Sequence, residues 1–170
     1  MSEDYSQTVI RTELTGWARM ALEMEGKLDI IRVNPPRLGE RYPSQVLAEV
    51  TIDLAPYGDS IRREWDEMGV YDNLFLVAID ARKMSGQPPP ANAKGRVPDE
   101  DDPTFPKRFG VTLVRGCMVL QVRDEAGTVL SDPAVEEAPS GSKRIFRVAL
   151  DSTQYADDKQ TAEGSDMYNR

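Results

Sequence analysis

Histidine is absent from this sequence, and with it the commonest general base of enzyme active sites. This absence excludes the usual serine and cysteine protease triads and most zinc sites, because they depend on imidazole nitrogens. The single cysteine, Cys117, can form no disulfide within the chain and has no histidine to activate it. Its neighbours are apolar, so we predict a buried and unreactive thiol.

Phosphate-binding loops of the pattern G-x-x-x-x-G-K-[ST] are missing, and so are long apolar runs. The first absence argues against ATP hydrolysis by this chain. No stretch approaches the roughly 20 apolar residues that a membrane-spanning helix requires. The first residues are acidic, unlike the basic start of a signal peptide. We therefore expect a soluble, intracellular protein with no membrane partner.

Positive charge is scarce, since the 170 residues have a net charge of −8 at pH 7. That charge argues against a free-standing nucleic-acid-binding protein, which usually has a basic surface. Residues 107–150 are an exception, with seven Lys/Arg against five Asp/Glu. We predict that the five basic residues on the strands of this half share one outer face that contacts RNA or an acidic partner, the alternative being a solvated face. These residues are Arg115, Arg123, Lys143, Arg144 and Arg147.

Two groups of carboxylates are candidates for a hydrolase or a metal enzyme, namely residues 99–102 and the pair Asp124 and Glu125. Both lie in predicted loops or turns, which lack the dry surroundings that would shift the pKa of a carboxyl group. The acidic run also lacks the spacing and the turn glycine of an EF-hand loop. We predict no catalytic residue, no cofactor and no metal site in this chain.

Strand patterns dominate the rest of the sequence. Residues 45–54 and 144–150 alternate apolar and polar side chains, which places Phe146 and Leu150 on the core side. Residues 73–81 are apolar on both faces and predict a central, well-covered strand. Further strands are predicted at residues 27–33, 109–114, 117–123 and 128–131, with a bulge or bend at Arg115 and Gly116.

Two helices accompany these strands, at residues 8–25 and residues 60–68. Strands that do not alternate regularly with helices favour an antiparallel sheet over a doubly wound one. The sequence therefore predicts a mainly β protein, a small antiparallel β-barrel with a short internal helix and an N-terminal helix. The predicted segments are an N-terminal helical or linker segment (residues 1–26), a barrel domain (27–151) with a Pro-rich, acidic loop (82–107), and a short helical turn with a disordered tail (152–170).

Five blocks of the sequence carry a resemblance to a known family. They are GWARMA at residues 16–21, residues 32–54, residues 61–79, FGVTLVRGC at residues 109–117 and RIFRVALDSTQYADD at residues 144–158. In this order and spacing they resemble the intron-binding protein Aquarius family, spliceosomal RNA helicases of superfamily 1. In that family the similar region forms a β-barrel between a helical-repeat scaffold and the helicase core.

The resemblance implies the nucleus, pre-mRNA splicing, and three partners: the helicase core of a parent protein, spliceosomal proteins and intron RNA. The motor motifs and the repeat scaffold of that family have no counterpart in this sequence. The expected function is therefore a non-catalytic accessory barrel that packs on the helicase core, contacts spliceosomal proteins and guides RNA. The alternative is an independent single-stranded nucleic-acid-binding barrel. An excised domain and a truncated gene product both fit the sequence.

Overall fold

The computed structural model describes residues 18–84 and 105–161, together with residues 164, 167 and 168. Its strands are β1 (Asp29–Asn34), β2 (Gln45–Asp53), β3 (Asn73–Ile79), β4 (Val111–Asp124) and β5 (Lys143–Leu150). Its α-helices are α1 (Asp59–Asp66), α2 (Phe105–Arg108) and α3 (Ser152–Asp158), and a short 3₁₀ helix covers Ala81–Lys83. Within these residues no helix is long and apolar enough to cross a membrane.

The five strands form one antiparallel sheet in the order β1-β2-β5-β4-β3. Among the described residues, β1 and β3 are therefore the two edges of this sheet. Hairpin and loop connections between antiparallel strands produce this arrangement without any parallel crossover. The predicted mainly β, antiparallel fold is confirmed, and the predicted short internal helix is α1.

The core lies on one face of the sheet, where alternate residues of β2 and β5 are directly opposite each other. Val46 pairs with Leu150, and Val50 pairs with Phe146, and all four side chains are buried. Helix α1 covers this face, because Trp65 packs edge-on against Phe146 with ring centroids 6.3 Å apart. The apolar side chains that the sequence predicts on one face of residues 45–54 and 144–150 are therefore the ones that form the core.

The predicted N-terminal helix is not confirmed. Residues 18–25, the described part of that prediction, form a turn and an isolated bridge between Met24 and Ile52. The backbone there follows β2, since the Glu25 N–H donates to the Thr51 carbonyl at 2.7 Å. Pairing with the sheet satisfies backbone groups that a helix would have used internally. Residues 8–17 lie outside the described residues.

Strand β4 is continuous across Arg115 and Gly116, where the sequence predicts a bulge or bend between two strands. Gly116 pairs in register with Phe75, and the irregularity in β4 lies between Val119 and Gln121. The Phe75 ring lies beside position 116, where a Cβ would be 3.8 Å from Phe75 Cε1, which is ordinary van der Waals contact. The space around this position therefore does not by itself require a glycine.

Candidate functional site

Each of the five predicted contact residues forms an ion pair with a carboxylate of the same chain. They do not form a single basic face. Arg123, Lys143 and Arg147 point to the outer face of the sheet, whereas Arg115 and Arg144 point to the core face. The prediction of one shared outer face is wrong, and the contact of these residues with RNA or a partner stays a prediction.

Glu49 holds two of the outer arginines together. Its Oε1 accepts from Arg147 Nη2 at 2.7 Å and from Arg147 Nε at 3.1 Å, and it also accepts a short hydrogen bond from Arg123 Nη2. These three side chains lie on the neighbouring strands β2, β5 and β4. Arg123 Nε is buried and finds no acceptor among the described residues. One carboxylate therefore neutralises half of this cluster's positive charge and orients both guanidinium groups across the sheet.

Arg144 is a core residue rather than a surface residue, with an exposed fraction of 4%. Its Nε donates to Asp66 Oδ1 on α1 at 2.6 Å, and its Nη1 donates to the carbonyl oxygens of Gly141 and Lys143. A buried guanidinium is tolerated because each of these donors has an oxygen partner. The ion pair joins α1 to β5.

Arg115 occupies the same face at the other end of the sheet. Its Nε and Nη2 donate to the two carboxylate oxygens of Asp158 at 2.8 and 2.6 Å, and the Tyr168 hydroxyl donates to Asp158 Oδ2 at 2.8 Å. The hydrogen bond from Arg115 lowers the pKa of Asp158, and burial raises the pKa of Tyr168. Tyr155 packs edge-on against Tyr168 at 5.0 Å. This network attaches α3 and Tyr168 to the sheet.

Lys143 is the most exposed member of the predicted set, and its Nζ lies 2.7 Å from Glu25 Oε1. This hydrogen bond raises the pKa of Lys143. The inward orientation of Arg144 has a signal in the sequence, because it shares the parity of Phe146 and Leu150. The sequence contains no comparable signal for the carboxylates that pair with these five basic residues, because the carboxylates are far away along the chain.

The candidate catalytic groups also have structural roles. Asp124 is buried and accepts from the N–H groups of Thr128 at 2.7 Å and Ser140 at 2.9 Å, which organises the turn after β4. The bond from Ser140 is the main cause that lowers the pKa of Asp124. Burial raises the pKa of Cys117 to about 11, as expected for an inert core thiol. No cluster of metal-ligating side chains occurs in the described part of the chain, and residues 99–102 lie outside it.

The described residues leave an apolar surface uncovered on the outer face of β3 and β4. Phe75, Val77 and Val114 are 69%, 50% and 46% exposed, and Val77 is directly opposite Val114. Beside Phe75 is an open depression of about 400 Å³ whose floor includes Gly116 and Met118. The sequence predicts residues 73–81 as a central, covered strand, but β3 is an edge strand of the described sheet. Strand β3 is apolar on both faces, as predicted. Its outer face, however, is not covered by any of the described residues.

Comparisons with known proteins agree with this fold. The family model described as "Intron-binding protein aquarius, beta-barrel" matches residues 3–170. The chain is also 34% identical over 144 residues to the RNA helicase aquarius of Mus musculus. That similarity covers 84% of this chain and 9% of the relative, so the chain spans a small part of the relative's length. A family match over nearly the whole sequence, together with the antiparallel β fold, shows that the chain belongs to the β-barrel family of the intron-binding protein Aquarius.

Proposed function

We propose that this chain is a non-catalytic accessory β-barrel of an Aquarius-like pre-mRNA splicing helicase, acting in the nucleus. It packs on the helicase core of its parent protein, contacts spliceosomal proteins and helps to guide RNA. Membership of the family supports this function, as does the small share of the relative's length that the chain covers. The observation that carries the proposal is the uncovered apolar face of β3 and β4.

That face has the chemistry of a packing surface. An aromatic side chain has an area of about 200 Å², and Phe75 is 69% exposed. Covering its exposed part contributes about 3 kcal/mol at about 25 cal/mol per Å². The valines opposite each other on β3 and β4 extend the same surface. A partner that supplies a second apolar layer would make β3 the covered strand that its sequence predicts.

The titratable groups of the described sheet support a non-catalytic role. The candidate arginines, Asp124 and Cys117 are used for ion pairs, turn geometry and core packing. An active site needs groups that converge on a shaped pocket with shifted pKa values. The depression beside Phe75 has a mainly apolar lining and suits a protein contact better than a reaction.

A double variant of the apolar face tests the proposal. Phe75→Ser with Val77→Ser removes apolar surface from the outer face and leaves the core side of β3 unchanged. The immobilised chain is tested for binding to the helicase core of the parent protein and for capture of spliceosomal proteins from nuclear extract. We expect the wild-type chain to bind both and the double variant to lose binding to the helicase core.

Leu38→Ser is the matched control, because Leu38 is fully exposed and lies in the loop between β1 and β2, away from β3. This variant should bind like the wild type. A folded wild-type chain that binds neither the helicase core nor spliceosomal proteins would refute the proposal. The alternative, an independent nucleic-acid-binding barrel, could use Phe75 as a surface on which a base stacks, but it leaves the exposed Val77 and Val114 without a contact.

A further inference from the structure

The loop between β1 and β2 has a defined shape. It covers residues 35–44, starts with two prolines, and is closed at its base by a hydrogen bond of 3.3 Å from the Ser44 N–H to the Pro35 carbonyl. At its tip the Glu40 N–H donates to the Arg37 carbonyl at 2.9 Å, and Gly39 has a φ of +83°, which favours glycine. We name β1, this loop and the start of β2 the arginine hairpin (residues 29–46).

Within the described residues, the arginines of the arginine hairpin have no carboxylate partner. Arg32, Arg37 and Arg41 are exposed, and none of them forms an ion pair with a described carboxylate. This differs from the sheet, where all five predicted contact residues are paired. From residue 29 to residue 46, three arginines against Asp29 and Glu40 leave a net charge of +1 in a chain of net charge −8.

We propose that the arginine hairpin binds the phosphate backbone of single-stranded RNA. The proposal rests on the proposed function and assigns RNA guidance to residues outside the paired sheet arginines. Guanidinium groups suit phosphate because their planar donors match two phosphate oxygens at once. The Arg41 guanidinium carbon lies 6.0 Å from the centroid of the half-buried Tyr42 ring. An aromatic ring beside a guanidinium is a surface on which a base can stack.

The acidic character of the whole chain does not cancel this local charge. At physiological ionic strength, charges further apart than about 8 Å are largely screened from each other. RNA is favoured over an acidic protein because the centre of a protein interface is apolar and depleted of charge. Within loop 35–44, Leu38 is the one aliphatic side chain besides the prolines. Phosphate binding requires no apolar centre.

Fluorescence anisotropy of a labelled oligouridine of about ten nucleotides, titrated with the full chain over a range of KCl concentrations, tests the proposal. Each phosphate contact to a single strand contributes about 0.7 to the slope of log K against log salt. Three contacts predict a slope of about −2 for the wild type. Arg37→Gln with Arg41→Gln removes two contacts and reduces the size of the slope by about 1.4.

The matched control is Arg63→Gln with Lys159→Gln, which changes the net charge equally at exposed sites outside the hairpin. It should keep the wild-type slope, and circular dichroism verifies the fold of every variant. The proposal is overturned if the folded wild type does not bind at low salt, if the hairpin variant keeps the full slope, or if the control loses as much as the hairpin variant.

A poly-glutamate peptide is the probe for the alternative partner. Binding of this peptide in preference to RNA, with a large loss in Leu38→Ala, would assign the hairpin to an acidic protein and overturn the proposal. Phe75→Ser with Val77→Ser should leave the RNA slope unchanged. RNA binding can therefore fail while binding to the helicase core persists, and binding to the helicase core can fail while RNA binding persists. The two proposals are thus tested separately.

Discussion

The ion pair between Arg144 and Asp66 makes a quantitative prediction about stability. The Arg144 side chain is 5% exposed and that of Asp66 is 22% exposed, so the pair is largely removed from water. Asp66→Ala leaves a buried guanidinium without its carboxylate, and breaking such a pair costs 3–5 kcal/mol, of which we expect roughly the lower end. The lower end applies because Arg144 keeps its bonds to two carbonyl oxygens and Asp66 is partly solvated.

Urea unfolding followed by tryptophan fluorescence measures this loss, because Trp65 packs on Phe146 in the core. With a slope near 2 kcal/mol per molar urea, a loss of about 3 kcal/mol lowers the midpoint by roughly 1.5 M. Glu64→Ala on the same helix is the control. Its partner is Arg19, and the two side chains are 41% and 64% exposed, so we expect a loss of at most about 1 kcal/mol.

Replacing both partners distinguishes the ion pair from simple packing. The double variant Asp66→Ala with Arg144→Met has no unpaired buried charge, and it should recover much of the stability that Asp66→Ala loses. Equal losses in Asp66→Ala and Glu64→Ala would refute the assignment of Arg144 as a buried, paired charge. Strictly additive effects of the two substitutions would refute it as well.

Two further predictions concern the pH dependence of stability and the reactivity of the thiol. Because the bond from Arg115 lowers the pKa of Asp158 in the folded state, Asp158 stabilises the fold above the ordinary carboxyl pKa of about 3.9, and this stability is lost as the pH falls through the folded pKa. In urea unfolding at a series of pH values, Asp158→Asn should lose less stability than the wild type on acidification below about pH 4, and equal slopes would contradict the assignment. Cys117, whose pKa burial raises to about 11, should react with a thiol reagent slowly in the native protein and rapidly in urea. Fast labelling of the native chain at neutral pH would show that it is not a core residue.

The most local patterns predict this fold well. Strict alternation in β2 and β5 predicts the core face, because neighbouring residues of a strand point to opposite sides. The turn after β4 is also predictable, because glycine favours the left-handed conformation that such a turn needs. Gly127 indeed has a φ of +89°. The same alternation places Arg144 inward, although charge alone suggests an outer position. Parity is therefore a better guide than residue type to the direction of these side chains.

Predictions that depend on position in the sheet were less successful. Residues 73–79 have the composition of a covered strand, yet the described residues leave β3 at an edge with Phe75 exposed. A two-sided apolar composition predicts that a strand is covered, and it carries no information about which residues cover it. The continuity of β4 across Gly116 also differs from the prediction, because it depends on in-register pairing with β3, which the local sequence does not reveal.

The sequence by itself determined the antiparallel β class, the core residues of β2 and β5, the absence of histidine chemistry and the family resemblance. The tertiary structure alone decided which charges are neutralised. Glu49 is 74 residues from Arg123 and 98 residues from Arg147, and Asp66 is 78 residues from Arg144. A periodic pattern indicates only the face of the sheet to which each side chain points. The partner of that side chain depends on the order and register of the strands, which are set by long-range packing.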